Sequence, residues 1–543
     1  MIRQRATGQP LLFLGIFLIY VVLRCFAWSN TSALEDNDSI GFILQIKQLL
    51  TFDLHTILNV EADRTFFYPF WAALCSLPSW SVETGARLCS MLFSIVLFLA
   101  LLKIGLHLAP AGDVAKGLWI VSISPVLIPL SFSVLSVPSY VATIYLGLAI
   151  FLTQVHDPKI WKAGVLGVIF GSGFLNRTEG VLYIAVIPFL QVAYFLLRKR
   201  LAFDYKLLAR WTALFVLFFS LVAAPQIWFV STKTGHFSLS SRQVWLQLLN
   251  NPDGKSYDEK IFSLDFSPSQ INVYYLQDHP EILERYTSPI KLKHHLYVFL
   301  SHFDEVYQRL LGVLIGPLGF VLFGMGLLAL YHSEHRFEAA VVLVFILISL
   351  MPPLVYKVLM RYIAITGPLI MLVEGIGIGY LSKSLIHQNK NGGSKQALVA
   401  LVLVFAASVP FVFSLREALL PPGGDFQYAP AELKEPARIV KEISKTQLQR
   451  TPVILARHLG LAYLSEGTGV VMPYTDYAGL AKYCDLNHVD FVYLEYGKIG
   501  SYPFLRTFAK GEAGKEFTLV YKATDVAGRD IELYHFRKSI GNT

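Results

Sequence analysis

Hydrophobic positions in this chain fall in long unbroken runs, separated by short polar stretches. Runs long enough to cross a bilayer as a helix, roughly 20 residues each, recur from position 11 to about position 415. Their placement predicts crossings near 11–28, 82–108, 117–134, 138–155, 161–175, 180–197, 210–230, 309–331, 338–356, 362–381 and 396–415, about eleven in all. The segment 66–80 (FFYPFWAALCSLPSW) is apolar but short and carries Pro69 and Pro78, so it is expected to be a juxtamembrane or re-entrant helix. Residues 39–50 (SIGFILQIKQLL) place Ile40, Ile43, Leu44, Ile46 and Leu50 at helical spacing, the pattern of a helix lying in the membrane interface. Beyond about 423 the pattern changes. ELKEPARIVKEISKTQ has helical periodicity, and TPVILA, GVVMPY, DFVYLEY, FTLVYKA and IELYHF read as short strands. The predicted architecture is mainly α: a polytopic membrane domain over 1–420 followed by a soluble α/β domain over 423–543.

Composition agrees. Only 15% of the 543 residues are charged, against about a quarter in ordinary soluble domains, and the mean hydropathy is +0.51. The first run has no small-residue cleavage site after it and reads as a retained span. The formal charge of +8 is gathered in particular short loops, as the positive-inside rule expects of cytoplasmic segments, which argues against a nucleic-acid partner. Cys25, Cys75, Cys89 and Cys484 show neither metal-ligand spacing nor a disulfide framework.

Charge also fixes the expected orientation. Arg3 and Arg5 precede the first span, the second span ends near Lys103 and Lys116, and Lys159, Lys162, Arg336 and Lys383 follow in alternate loops, which places the N-terminus inside. Loop 30–65, the long loop 231–308 and, after an odd number of crossings, the C-terminal domain then share the outer face.

Under that topology several polar groups gather on one side. Loop 30–65 holds Glu35, Asp36 and Asp38, then Glu61, Asp63 and Arg64. Arg177 and Glu179 lie at one outer turn (GFLNRTEGVLY), and Lys357 and Arg361 at another (PPLVYKVLMRY). Ionisable residues at a membrane boundary are costly to desolvate and often mark a substrate site. Arg177 with Glu179 also reads as a local ion pair, and Arg361 as a snorkelling anchor of its helix.

Four segments resemble the GT-C membrane glycosyltransferases, in particular the family of protein O-mannosyltransferases and aminoarabinose lipid A transferases. They are the acidic EDNDSIGFILQIKQLL after the first span; FFYPFWAALCSLP followed by GARLCSMLFSIV; LNRTEGVLY; and RYIAITGPLIMLVEGIG. The likeness runs in order from residue 1 to about 382. It implies a polyprenyl-phosphate sugar donor, used by a hexosyl- or pentosyltransferase on the extracytoplasmic face of a bacterial inner membrane, with a lipid, glycan or protein as acceptor. Attack on the anomeric carbon needs a base for the acceptor proton, for which Asp38 is the candidate, with Asp36 beside it. The lipid-phosphate leaving group needs cations, and Arg64, Arg177, Lys357 and Arg361 are candidates for it. Asp36 with Asp38, or Glu61 with Asp63, can alternatively hold a divalent cation such as magnesium or manganese. A transporter or lipid flippase is the competing class. It is expected to show internal repeats and a charge-rich midplane, neither of which is evident in this sequence.

Overall fold

A computed structural model describes residues 9–31, 37–52, 65–78, 81–156, 158–197, 205–240, 255–264, 272, 292–355, 357–386, 393–420, 430–525 and 528–537. Each of the eleven segments expected to cross contains a helix. Seven helices among the described residues are long and apolar enough to span alone, from Pro10–Ser29 to Lys395–Val412, so this is an integral membrane protein. Leu296–Leu314 and Gly316–Tyr331 pass the same test together but are bent by 100°, and Ile160–Asn176 is a shorter apolar helix. Two expected spans are broken. The helix Ala111–Ile123 stops where Ser124 turns extended before Pro125, and a four-residue helix, Leu127–Leu130, follows. The residue before a proline is pushed out of the α region. Arg361 sits in a four-residue helix, Met360–Ile363, set apart from the longer Gly367–Ser384.

The helices Ala111–Ile123 and Gly367–Ser384 pack closely, because a Cβ on Gly375 would run into the backbone of Gly117. At one end of this pair Asp113 accepts from Lys116 at 2.5 Å and from Lys383 at 3.0 Å. The buried Arg24 of the first span is also satisfied: Nε donates to Ser131 Oγ at 2.8 Å, Nη1 donates to the Ser122 carbonyl at 3.0 Å, and the guanidinium lies 3.4 Å from the Tyr20 ring centroid.

The segment 66–80 holds the helix Phe67–Ser76. Its ten residues reach only about 15 Å at 1.5 Å per residue, too short to cross. The segment expected at the interface holds the helix Asn37–Leu50, with Ile40, Ile43 and Ile46 fully or almost fully buried against other parts of the protein. It packs on the helix Phe67–Ser76 through an edge-to-face contact between Phe42 and Tyr68, with ring centroids 5.3 Å apart. Leu44, expected on the same apolar face, is exposed. Within the expected long loop 231–308 the described residues include regular structure. The helix Leu292–Arg309 runs through a π turn into the bend at Gly316, where φ is +71° and only glycine is unstrained.

The C-terminal domain is a five-stranded sheet in the order β2-β1-β3-β5-β4, where β1 is Val453–Ala456, β2 Thr468–Val471, β3 Phe491–Glu495, β4 Phe517–Thr524 and β5 Asp530–Phe536. All five sequence segments read as strands are strands. The first three are parallel, and β5 runs antiparallel to β3 and β4. The helix Pro430–Ile443 covers one face through Leu433, Ala437 and Val440. The helix Tyr477–Leu486 covers the other. Burial on both faces explains why β1 and β3 read as continuous apolar runs.

Candidate active site

The start of the acidic stretch is anchored before any acid is reached. Arg87, from the GARLCS segment, donates through Nη2 to the Trp28 carbonyl at 2.8 Å and to Thr31 Oγ1 at 2.7 Å, fixing the end of the first span. Six positions later the helix Asn37–Leu50 begins, with Asp38 in its first turn. A carboxylate there is favoured by the helix dipole.

Asp38 meets Arg361. Arg361 Nη2 donates to Asp38 Oδ2 at 2.6 Å, and the two side chains are 19% and 34% exposed. The pair is therefore partly desolvated, which strengthens it relative to a surface ion pair. Lys357, four residues before Arg361, is half-buried. Burial pushes its ammonium down to about 8, helped by the nearby cations Arg361 and Arg457 and opposed by Asp258 and Asp38. Lys357 is thus electrostatically coupled to both members of the pair.

Arg177 reaches the same place from another helix. It caps Ile160–Asn176 in an extended conformation and enters the short 3-10 helix Thr178–Leu182. Its Nη2 donates to Glu179 Oε1 at 2.8 Å, so the local ion pair expected from the sequence forms. Its guanidinium also lies 4.5 Å from the centroid of the Tyr362 ring, and that of Arg361 lies 5.5 Å from the same centroid. Burial would lower the Arg177 guanidinium, but Glu179 and Tyr362 raise it well above its ordinary value, keeping it cationic. Its Nε is buried without a hydrogen-bond acceptor. Thr65, at the far end of loop 30–65, donates through Oγ1 to the Asn176 carbonyl at 2.7 Å and so returns the loop beside Arg177. Glu35, Asp36, Glu61, Asp63 and Arg64 lie outside the described residues.

The sequence reading missed Arg457. It follows the carboxyl end of β1, between β2 on one side and β3 on the other. Ligands of open α/β sheets bind at such a switch point, but the order of the strands that makes it one is set by the fold and not by the local sequence. Its Nη2 donates to Asp258 Oδ1 at 3.0 Å, and its guanidinium lies 4.0 Å from the Phe262 ring centroid. Ile261 and Phe262 are buried in the core of the C-terminal domain, so part of the long loop belongs to that domain. The domain docks on the helix Asn37–Leu50. Leu459 and Tyr463 pack against the cluster around Ile40 and Ile43, Tyr463 donates to Glu83, and Lys47 sits 4.3 Å over the Tyr463 ring. The helix Asn37–Leu50, the segment around Ile261 and Phe262, and the C-terminal domain therefore meet at one end of the bundle.

This architecture, a polytopic helical bundle followed by a C-terminal α/β domain, is shared with solved GT-C membrane glycosyltransferases. The oligosaccharyltransferase of Archaeoglobus fulgidus in its apo form superposes with a TM-score of 0.62 at 11% identity, over 98% of this chain and 75% of that one. The same enzyme, AglB, in complex with an inhibitory peptide and a dolichol-phosphate gives 0.58 at 12% identity, over 99% and 75%. ArnT from Cupriavidus metallidurans bound to undecaprenyl phosphate gives 0.56 at 12% identity, over 99% and 100%. No protein-family model and no curated protein sequence matches the chain.

Proposed function

We propose that the protein is a membrane glycosyltransferase that moves a sugar from a polyprenyl-phosphate donor to a lipid, glycan or protein acceptor on the extracytoplasmic face. The observation that carries this reading is the Asp38–Arg361 ion pair with Lys357 beside it, in a fold whose solved relatives hold dolichol-phosphate and undecaprenyl phosphate. One carboxylate and several cations are what the reaction requires. The acceptor oxygen forms a bond to the anomeric carbon, the bond from that carbon to the donor phosphate oxygen breaks, and the acceptor proton passes to Asp38. The departing polyprenyl phosphate takes the electron pair, and Arg361, Lys357, Arg177 and Arg457 neutralise its charge.

The ion pair acts as a resting latch in this scheme. An arriving phosphate offers Arg361 a second anionic partner with better bidentate geometry, which frees the Asp38 carboxylate to face the acceptor. A divalent cation held with Asp36 would take part of the same charge, and Asp38 is the one described residue of that set.

The test is transfer itself. Reconstituted protein is given a polyprenyl-phosphate sugar radiolabelled in the sugar. A transferase moves the label onto an acceptor and releases unlabelled polyprenyl phosphate. Label that crosses the bilayer while still attached to its lipid identifies a flippase and overturns the reading.

A further inference from the structure

At the opposite end of the bundle, three histidines surround one buried glutamate. His107 lies in the last turn of Val82–Leu108, His156 just beyond Ser136–Gln154, and His335 and Glu338 straddle the start of Arg336–Val355. His335 and Glu338 are three residues apart, so both project from one side of that helix. Since Lys357 follows the other end of the same 20-residue helix, about 30 Å away at 1.5 Å per residue, this cluster is no part of the candidate active site.

We propose that His107, His335 and Glu338 bind a divalent first-row transition metal, zinc by preference, with His156 holding the carboxylate in place. Their ligand atoms all lie within 4.8 Å of one another. His107 Nε2 is 3.9 Å and His335 Nδ1 3.7 Å from Glu338 Oε1. Tetrahedral zinc with bonds of about 2.0–2.2 Å sets its ligand atoms roughly 3.3–3.6 Å apart, a spacing that the two histidine–carboxylate separations already approach.

A second observation points to an occupant. Glu338 is 1% exposed, and its Oε2 is buried with no hydrogen-bond partner; His107 Nε2 is buried with none either. Buried polar atoms are normally satisfied, by protein, water or an ion, and one cation between them satisfies both. The surroundings fit the pattern of metal ligands oriented by outer partners. His156 Nε2 lies 2.6 Å from Glu338 Oε1, and its Nδ1 lies 2.6 Å from the Tyr194 hydroxyl. Two neutral imidazoles and one carboxylate suit a divalent ion and leave a fourth position for water. Such an ion ties the end of Val82–Leu108 to the start of Arg336–Val355, beside the existing link from His156 to Glu338.

Purified full-length protein in detergent, stripped with a chelator, is titrated with Zn2+ in competition with a chromophoric chelator and with Co2+ followed by its d–d absorption. The expected result is one tightly held ion per chain, a four-coordinate cobalt spectrum, and a rise in Tm on adding metal. His156→Gln weakens the affinity about 10–100-fold, as loss of an outer partner does elsewhere, while the joint variant His107→Gln with His335→Gln abolishes binding and the Tm rise. Wild-type protein that binds no ion overturns the proposal, as does binding unchanged in the joint variant. Should the joint variant not fold, unchanged affinity in His156→Gln together with an octahedral cobalt spectrum in the wild type overturns it equally.

Discussion

Asp38 and Arg361 are 323 positions apart in the chain, yet a 2.6 Å charge-assisted hydrogen bond joins them. One stands in the first turn of the helix Asn37–Leu50 and the other in a short helix between two long ones. Around this contact the proposed site also takes in Arg177, beside Tyr362, and Arg457 of the C-terminal domain.

Removing Arg361 should therefore damage catalysis more than folding. Arg361→Ala is expected to lower the transfer rate by about 10²–10³-fold, as loss of a single group stabilising transition-state charge does. Arg361→Lys should recover only part of this, because a point charge cannot make the bidentate contact, and Arg177→Lys should behave likewise. Steady-state transfer assays on protein of matched Tm check both.

Lys357 gives the reaction a pH dependence. Its folded pKa is lowered to about 8 from 10.5, so it loses its charge as pH rises through about 8, while the unfolded chain keeps that proton up to its higher ordinary pKa. Stability should rise with pH across that window, since the unfolded state binds more protons there. Donor affinity should fall across the same window, because the phosphate loses a cationic partner. Lys357→Arg, which stays charged, should flatten the affinity profile, as measured by equilibrium binding of polyprenyl phosphate from pH 7 to 10.

The C-terminal domain should matter to donor binding through Arg457. Arg457→Ala is expected to raise the KM for the donor and, by removing one of the cations that oppose Lys357, to move the Lys357 inflection upward. A purely structural role through Asp258 would lower Tm and leave that inflection in place.

Docking of that domain rests on Tyr463. Tyr463→Phe removes the hydroxyl that Glu83 accepts and leaves a partly buried carboxylate short of a partner, at a cost of about 1–3 kcal/mol. Hydrogen exchange should quicken in Gly460–Leu464 and in Asn37–Leu50, with the sheet strands β1 and β3 unchanged.

Much of this arrangement is legible in the sequence because a membrane simplifies the problem. Runs of apolar residues fix where helices lie, and cationic loops fix their direction, so Asp38, Arg177, Lys357 and Arg361 could be assigned to one face without any contact being known. The breaks at Pro125 and ahead of Gly367 were harder, since hydropathy does not register a turn inside an apolar run. Arg457 was hidden for another reason. It belongs to a separate domain, and nothing in ILARHLG says that β1 ends above the bundle. The histidine cluster was invisible because its histidines are scattered from 107 to 335 at separate loops and helix ends, and only packing brings them together with Glu338.

The most direct measurement of the central claim is single-turnover transfer by Asp38→Asn in proteoliposomes with saturating radiolabelled donor, alongside equilibrium donor binding. A neutral amide cannot accept the acceptor proton, so transfer should slow by about 10²–10⁴-fold, with donor still bound and Tm nearly unchanged. Transfer at close to the wild-type rate would contradict the account.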